Sequence, residues 1–206
     1  MSPIESFFKR IYFCLRTLIN RLMQYAEKLM GLDFSAQVEL DELGLSAENS
    51  ESYMASDIRI KFILKSMPIK EQDAILDFGC GKGKMVYLFS KFKFKKADGV
   101  EISPRLCKIA KKNLKKLKAK KPKIFLCDAS KFKALDSYTY FYFFNPFPNK
   151  IMLKVLNNIY GSLAKAPRQI TILYFNPLCH KAFIEKGVFK LVKTKWGVNI
   201  YKNSLN

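Results

Sequence analysis

Three carboxylates and one amide in this 206-residue chain are spaced as a ligand-binding α/β sheet edge would space them. Asp77 sits at the end of the apolar stretch Ala74-Ile75-Leu76-Asp77-Phe78, and Gly79-Cys80-Gly81-Lys82-Gly83 follows at once. Glycines at 79, 81 and 83 let the backbone turn tightly and approach a ligand with no Cβ in the way. The start of the helix expected behind them favours a negative group such as a carboxylate. The run lacks the GxxxxGK[ST] pattern, so it is not a P-loop, and its third glycine comes one position too early for the dinucleotide fingerprint GxGxxG. Glu101 ends the next expected strand, 24 positions after Asp77, where a carboxylate can accept from both hydroxyls of a ribose. Asp128 ends the third and can accept from the exocyclic amine of adenine. Three acids ending three consecutive strands beside a glycine loop point to one shared site. Further on stands Asn145-Pro146-Phe147-Pro148. An amide oxygen and a neighbouring carbonyl can take both hydrogens of an –NH2 group, which aims its lone pair at an electrophile. An aromatic beside them can stack on a planar acceptor.

The elements that must position these residues are legible in the pattern. Tyr53–Met67 reads as a helix, with Ile58, Phe62, Ile63 and Met67 on one face, stopped by Pro68. After the first strand, Lys84–Lys91 is helical with Met85, Leu88 and Phe89 inward, and 97–101 is a second strand. Ser103 and Pro104 supply an N-cap and an N1 proline for a helix from Arg105 to about Lys118. Strands follow at 123–127 and 138–144, the latter a continuous aromatic run suited to burial on both faces. A helix over 150–163, a strand at 170–175, a short helix near 178–186 and strands at 188–195 and 197–202 complete the chain. Strands alternating with helices predict a doubly wound α/β fold, mostly parallel, with helices on both faces. Right-handed crossovers then bring every strand-to-helix loop to one edge, where such folds bind ligands.

Composition narrows the classes. Hydrophobic residues at 49% exclude a disordered chain. Five cysteines with no CxxC pair argue against a disulfide framework and against a zinc site, and fit a reducing, cytoplasmic setting. The formal charge of +20 suggests an acidic partner, nucleic acid or an anionic membrane. Only six of the 37 basic residues are Arg, the type that phosphate and guanine recognition favours. Nine lysines between 108 and 123 read as a solvated helix face. His180 is the one histidine and lies outside the strand-end cluster. Cys80 and Cys127 fill small spaces.

Residues 1–31 form a basic amphipathic helix in this reading. Phe7, Phe8, Ile11, Tyr12, Leu15, Leu18, Ile19 and Leu22 fall at spacings of three and four, interrupted by Lys9, Arg10, Arg16, Arg21 and Lys28, with Gly31 as the stop. No apolar run reaches the ~18–20 residues of a membrane span. The helix either packs on the core or on a second copy, or lies on an anionic inner-membrane surface. Residues 32–52 read as a linker or a loop that covers a cofactor, and 53–206 as the catalytic domain.

With ILDFGCGKG (75–83), GVEIS (99–103), CDAS (127–130) and FFNPF (143–147) in this order, the chain resembles a class I S-adenosylmethionine-dependent methyltransferase, of a small bacterial type whose fourth motif reads Asn-Pro-Phe. The resemblance implies seven strands ending in an antiparallel hairpin, with S-adenosyl-L-methionine (AdoMet) as cofactor and no metal. It implies that Gly79 and Gly81, with Cys80 and Gly83, line the methionine moiety and that Asp77 holds its amino group. Glu101, with Ile102, would bind the ribose, and Asp128, with Ala129, the adenine. Tyr53 would cap the cofactor's carboxylate. Asn145-Pro146-Phe147 is similar to the Asn-Pro-Pro-aromatic motif of amino methyltransferases, with Phe147 in the second proline position and Pro148 in the aromatic one. Asn145, Pro146 and Phe147 are thus the expected catalytic set, with Asn145 also expected against the cofactor. N-methylation of a protein amine or a nucleic-acid base is the expected reaction. O-methylation of a small molecule, which would need a base near the cofactor, and a non-catalytic AdoMet-binding module docked on membrane or polyanion are the alternatives.

Overall fold

The computed structural model describes residues 6–7, 17–18, 21–36, 38 and 59–204. A helix covers 21–29 (α1). It is followed by α2 (Arg59–Lys65), β1 (Ala74–Phe78), α3 (Lys84–Phe89), β2 (Lys96–Glu101), α4 (Pro104–Lys116) and β3 (Ile124–Leu126). After a 3-10 turn at Ala129–Lys131 come β4 (Tyr140–Phe144), α5 (Asn149–Lys165), β5 (Thr171–Phe175), α6 (His180–Ile184), β6 (Phe189–Lys195) and β7 (Val198–Asn203).

The seven strands form one sheet in the order β3-β2-β1-β4-β5-β7-β6. The first five are mutually parallel, and β7 pairs antiparallel with both β5 and β6. This is the doubly wound arrangement expected, with its C-terminal hairpin. One sheet face carries Leu76, Phe78, Phe141, Phe143 and Ile172 against Met152, Val155 and Ile159 of α5 and Phe183 of α6. The other carries Ile75, Tyr142 and Leu173 against Ile60, Ile63 and Leu64 of α2 and Met85 and Phe89 of α3. A third cluster joins Val86 to Cys107, Ala110 and Leu114 of α4. Strands β1, β4 and β5 are buried almost throughout, as continuous apolar runs under two helical layers must be.

Ser103 caps α4 as expected, its Oγ accepting from the Leu106 N–H at 3.3 Å, with Pro104 as first helical residue. The inward face of α2 differs from the expected stripe. Ile60, Ile63 and Leu64 are buried, while Phe62 is half-exposed and meets Trp196 edge-on at 6.2 Å. Tyr53 and Ile58 lie outside the described residues. The outer strand β6 is exposed along most of its length and carries Lys190, Lys193 and Lys195, with a bulge between Leu191 and Lys193. Charge and irregularity blunt an edge that would otherwise template pairing with another chain.

The segment after α1 docks on the core. Gly31 (φ 62°) ends the helix in the left-handed conformation. The turn at 33–36 then folds back on α1. Glu27 Oε2 accepts the N–H groups of Phe34 and Ser35, and its Oε1 accepts the Ser35 hydroxyl. Leu32, Phe34 and Val38 are buried.

Candidate functional site

Parallel register brings the expected residues to one edge. Asp77 lies level with Gly99 of β2 and Tyr142 of β4, and Glu101 lies level with Leu126 of β3. The loops that begin at Gly79, Ile102, Cys127 and Asn145 therefore leave the sheet side by side.

The glycine turn is built by closure rather than left open. Gly79 (φ 74°), Gly81 (φ 53°) and Gly83 (φ 81°) all take left-handed backbone, which other residues adopt at a cost of ~1–2 kcal/mol. Space forbids a side chain at Gly79 in any case, since a Cβ there would stand 2.6 Å from the Pro146 Cβ. The turn's donors are spent internally. The N–H groups of Gly79 and Cys80 both go to the Val100 carbonyl, that of Gly81 to Glu101 Oε2 at 2.9 Å, and that of Gly83 to the Cys80 carbonyl. These four donors already have acceptors, one of them the Glu101 carboxylate. Cys80 turns its thiol away from the edge, beneath Gly99, where burial, with Asp77 and Glu101 adding to it, pushes its pKa well up.

What the edge offers instead is negative. Asp77 is 3% exposed and has no hydrogen-bond partner among the described residues. Burial, and then the charge of Glu101, raises its carboxyl well above the usual range. The Glu101 carboxyl is also raised by burial, but three backbone N–H groups oppose the shift, from Ser103, Gly81 and Ile102. Its two oxygens hold the glycine turn and the start of α4 in fixed relation. Asp128 is half-buried, and its Oδ1 accepts the Ser130 N–H at 2.8 Å, opening the 3-10 turn in which Ala129 lies. Buried acids in a chain of net charge +20 make a local sink for a cation.

The Asn145 turn packs over this sink. Asn145 leaves β4 in the left-handed region (φ 40°), and Asn176 does the same at the end of β5 (φ 50°), each before a proline. A short polar side chain tolerates that conformation better than most. Asn145 Oδ1 accepts from the Tyr174 hydroxyl at 3.3 Å, and that hydroxyl accepts the Cys179 N–H at 3.2 Å. Tyr174 had no mark in the sequence beyond its place in an aromatic strand. Phe147 is not where the amine-methylating motif wants its ring. It is 4% exposed and edge-on to Phe143 at 6.2 Å. Burying a Phe side chain contributes about 1.5–3 kcal/mol, more than a surface stack offers, so packing takes the ring into the core. His180 binds Tyr201 through Nδ1 at 2.7 Å.

A clasp that the sequence did not reveal holds the 33–36 turn to the glycine turn. Lys82 is 1% exposed. Its ammonium donates to Asp33 Oδ1 at 2.5 Å and to the Ala36 carbonyl at 2.8 Å. Asn113 of α4 completes it. Its Oδ1 accepts the Asp33 N–H, and its Nδ2 donates to the carbonyls of Asp33 and Lys82. The one trace was an amide on the apolar stripe of α4. Among the described residues no cluster of His, Cys, Asp and Glu could hold a metal.

Comparison with known proteins agrees with this chemistry. Residues 75–166 match the family described as a methyltransferase domain. No curated protein matches the sequence. Among solved structures, an RNA methyltransferase from Salinibacter ruber in complex with S-adenosyl-L-homocysteine is 14% identical, with a TM-score of 0.54 over 73% of this chain and 92% of that one. An rRNA methylase from Streptococcus thermophilus is 11% identical, with a TM-score of 0.51 over 75% of this chain and all of that one. A dimethyladenosine transferase from Plasmodium falciparum is 16% identical, with a TM-score of 0.56 over 73% and 62%. Residues 75–166 are thus similar to a methyltransferase domain, and the chain has the fold of these solved methyltransferases, one of them holding S-adenosyl-L-homocysteine. The residues present fit AdoMet as the expected cofactor: the Asp77 carboxyl, without a hydrogen-bond partner among the described residues, answers a cation, and the turn beside it has no room for a Cβ at Gly79.

Proposed function

We propose that this chain is an AdoMet-dependent methyltransferase that acts on nitrogen, and that the acceptor amine is a base of RNA held at Asn145. The observation that carries the reading is the Asn145-Pro146 turn, which packs directly on Gly79 and so puts an amide beside the turn assigned to the cofactor. AdoMet supplies a methyl carbon activated on a sulfonium. What the chain supplies is position: Asp77 takes the cofactor's amino group, Glu101 its ribose hydroxyls and Asp128 its adenine amine. Asn145 keeps a lone pair on Oδ1 after accepting from Tyr174, and with a neighbouring carbonyl it can receive both hydrogens of an –NH2 group. In-line displacement then depends on alignment more than on proton transfer. That distinguishes it from O-methylation, for which the lone His180, bound to Tyr201, is a poor base. Neighbours in fold whose names specify RNA or rRNA, together with the charge of +20, support RNA as the acceptor. A protein amine is the second reading, favoured by one observation: with Phe147 buried, no ring of this motif is left to stack on a base.

The test is Asn145→Gly, which keeps the left-handed turn while removing the amide. Transfer from radiolabelled AdoMet into total RNA or protein should fall roughly a hundredfold, with AdoMet affinity within about twofold. Undiminished transfer by this variant would overturn the amine-orienting role. Label entering protein but not RNA would select the second reading.

A further inference from the structure

We propose that α1 is a membrane-docking arm that sets the catalytic domain on an anionic bilayer. The helix touches the rest of the protein through one side. Glu27 is buried, bound by Phe34 and Ser35, while every other described residue from 21 to 30 is exposed. What it exposes is apolar: Leu22 at 60%, Tyr25 at 64% and Leu29 at 72%, with Leu18 at 54% one turn before. Their spacings of four, three and four place them on one stripe, and the sequence carries the same spacing upstream through Leu15, Ile11 and Phe8. Met23 and Met30 widen the stripe on one side, and Arg21 and Lys28 flank it on the other.

Charge decides the occupant. The only acid between 21 and 30 is Glu27, and it faces inward, so the outward face is purely cationic where it is not apolar. A second copy laid on this face would bring like charges together with no acid to answer them. RNA would answer the cations but leave Leu22 and Leu29 in water. An anionic lipid surface answers both, taking the stripe into the acyl boundary and the cations to the headgroups. No helix among the described residues is long and apolar enough to cross a membrane, so the arm lies on the surface. It is also held firmly. The Glu27 contacts fix α1 to the 33–36 turn, and Asp33 fixes that turn to Lys82 of the glycine loop, so a docked arm orients the site as well as tethering it.

The full chain should sediment with vesicles of phosphatidylcholine containing a third phosphatidylglycerol, and poorly with phosphatidylcholine alone. Leu22→Asp with Leu29→Asp should lower partitioning at least about tenfold with an unchanged melting temperature, since both side chains are exposed. Arg21→Gln with Lys28→Gln should lower it roughly tenfold on the anionic vesicles only. Failure of the wild-type chain to sediment with anionic vesicles overturns the proposal. So does a dimer seen by light scattering that the Leu22→Asp, Leu29→Asp chain loses while vesicles stay unbound, or binding to polyuridylate that the same change abolishes.

Discussion

Asp77 is in conflict with its own fold. A carboxyl raised by burial and by Glu101 favours its protonated form in the folded state, so the contribution it makes to stability is full at low pH and is lost as pH rises through the raised value. At neutral pH its charge therefore costs stability, and a cationic ligand recovers that cost. Asp77→Asn should melt higher than the wild-type apo protein at neutral pH, with the gap closing as the pH falls below the raised value. It should also bind AdoMet roughly ten- to a hundredfold more weakly, the range expected for losing a hydrogen bond to a charged group. Binding to the wild type should release protons, and affinity should fall as pH drops through the same range. Calorimetry in two buffers of different ionisation enthalpy, beside thermal melts, reads both effects. A variant that melts lower and binds equally would show that Asp77 is a structural acid. Sequence alone placed Asp77, Glu101 and Asp128 correctly at one edge, because strand ends and a glycine turn are local patterns. It could not show that Asp77 has no hydrogen-bond partner among the described residues while Glu101 is held by three backbone donors, since that depends on how the loops close over them.

At the scale of elements, local chemistry was legible wherever one residue type has one reason to be there. Ser103-Pro104 marks the start of α4, and Gly31 marks the end of α1. Aromatic runs were harder. Phe62 and Phe147 go in opposite directions, one outward to Trp196 and one inward to Phe143, because an aromatic ring satisfies either environment and the neighbours choose. The 33–36 turn was invisible because its hold on the core is long-range: Asp33 meets Lys82 and Asn113, 49 and 80 positions away. Two predictions concern this turn and the glycine turn. Gly79→Ala adds a left-handed penalty of ~1–2 kcal/mol to a clash with the Pro146 ring, which cannot swing aside as a flexible side chain would. It should lower the melting temperature by several degrees and AdoMet affinity more than tenfold. In the clasp, the two partners are unequal, since Lys82 is buried to 1% and the Asp33 side chain is 42% exposed. Asp33→Ala removes one partner of a buried ammonium that still donates to the Ala36 carbonyl, and should cost about 1–3 kcal/mol. Lys82→Met replaces it with an apolar chain of similar length and leaves Asp33 near water, so its cost should stay near about 1 kcal/mol. Urea unfolding of both variants tests the order, and a larger loss for Lys82→Met would refute the asymmetry.

The whole molecule sets a basic exterior against an acidic site, and salt separates the two. Lys108, Lys111, Lys112, Lys115 and Lys116 lie exposed on α4, whereas Asp77 and Glu101 are 3% and 5% exposed. Screening acts on the first set and barely on the second, because buried charges are shielded from mobile ions. If single-stranded RNA is the acceptor and these five lysines meet its phosphates, each contact adds roughly −0.7 to the slope of log affinity against log salt. Raising salt from about 50 to about 200 mM should then raise the KM for RNA by about a hundredfold while the Kd for AdoMet changes less than about threefold. Replacing Lys111 and Lys115 together by Gln should flatten the slope by about two contacts' worth and leave kcat at saturating RNA unchanged, since neither residue lies at the strand-end edge. A KM for RNA that ignores salt would mean that the lysine face is solvated surface only, and would shift the acceptor from RNA to a protein amine.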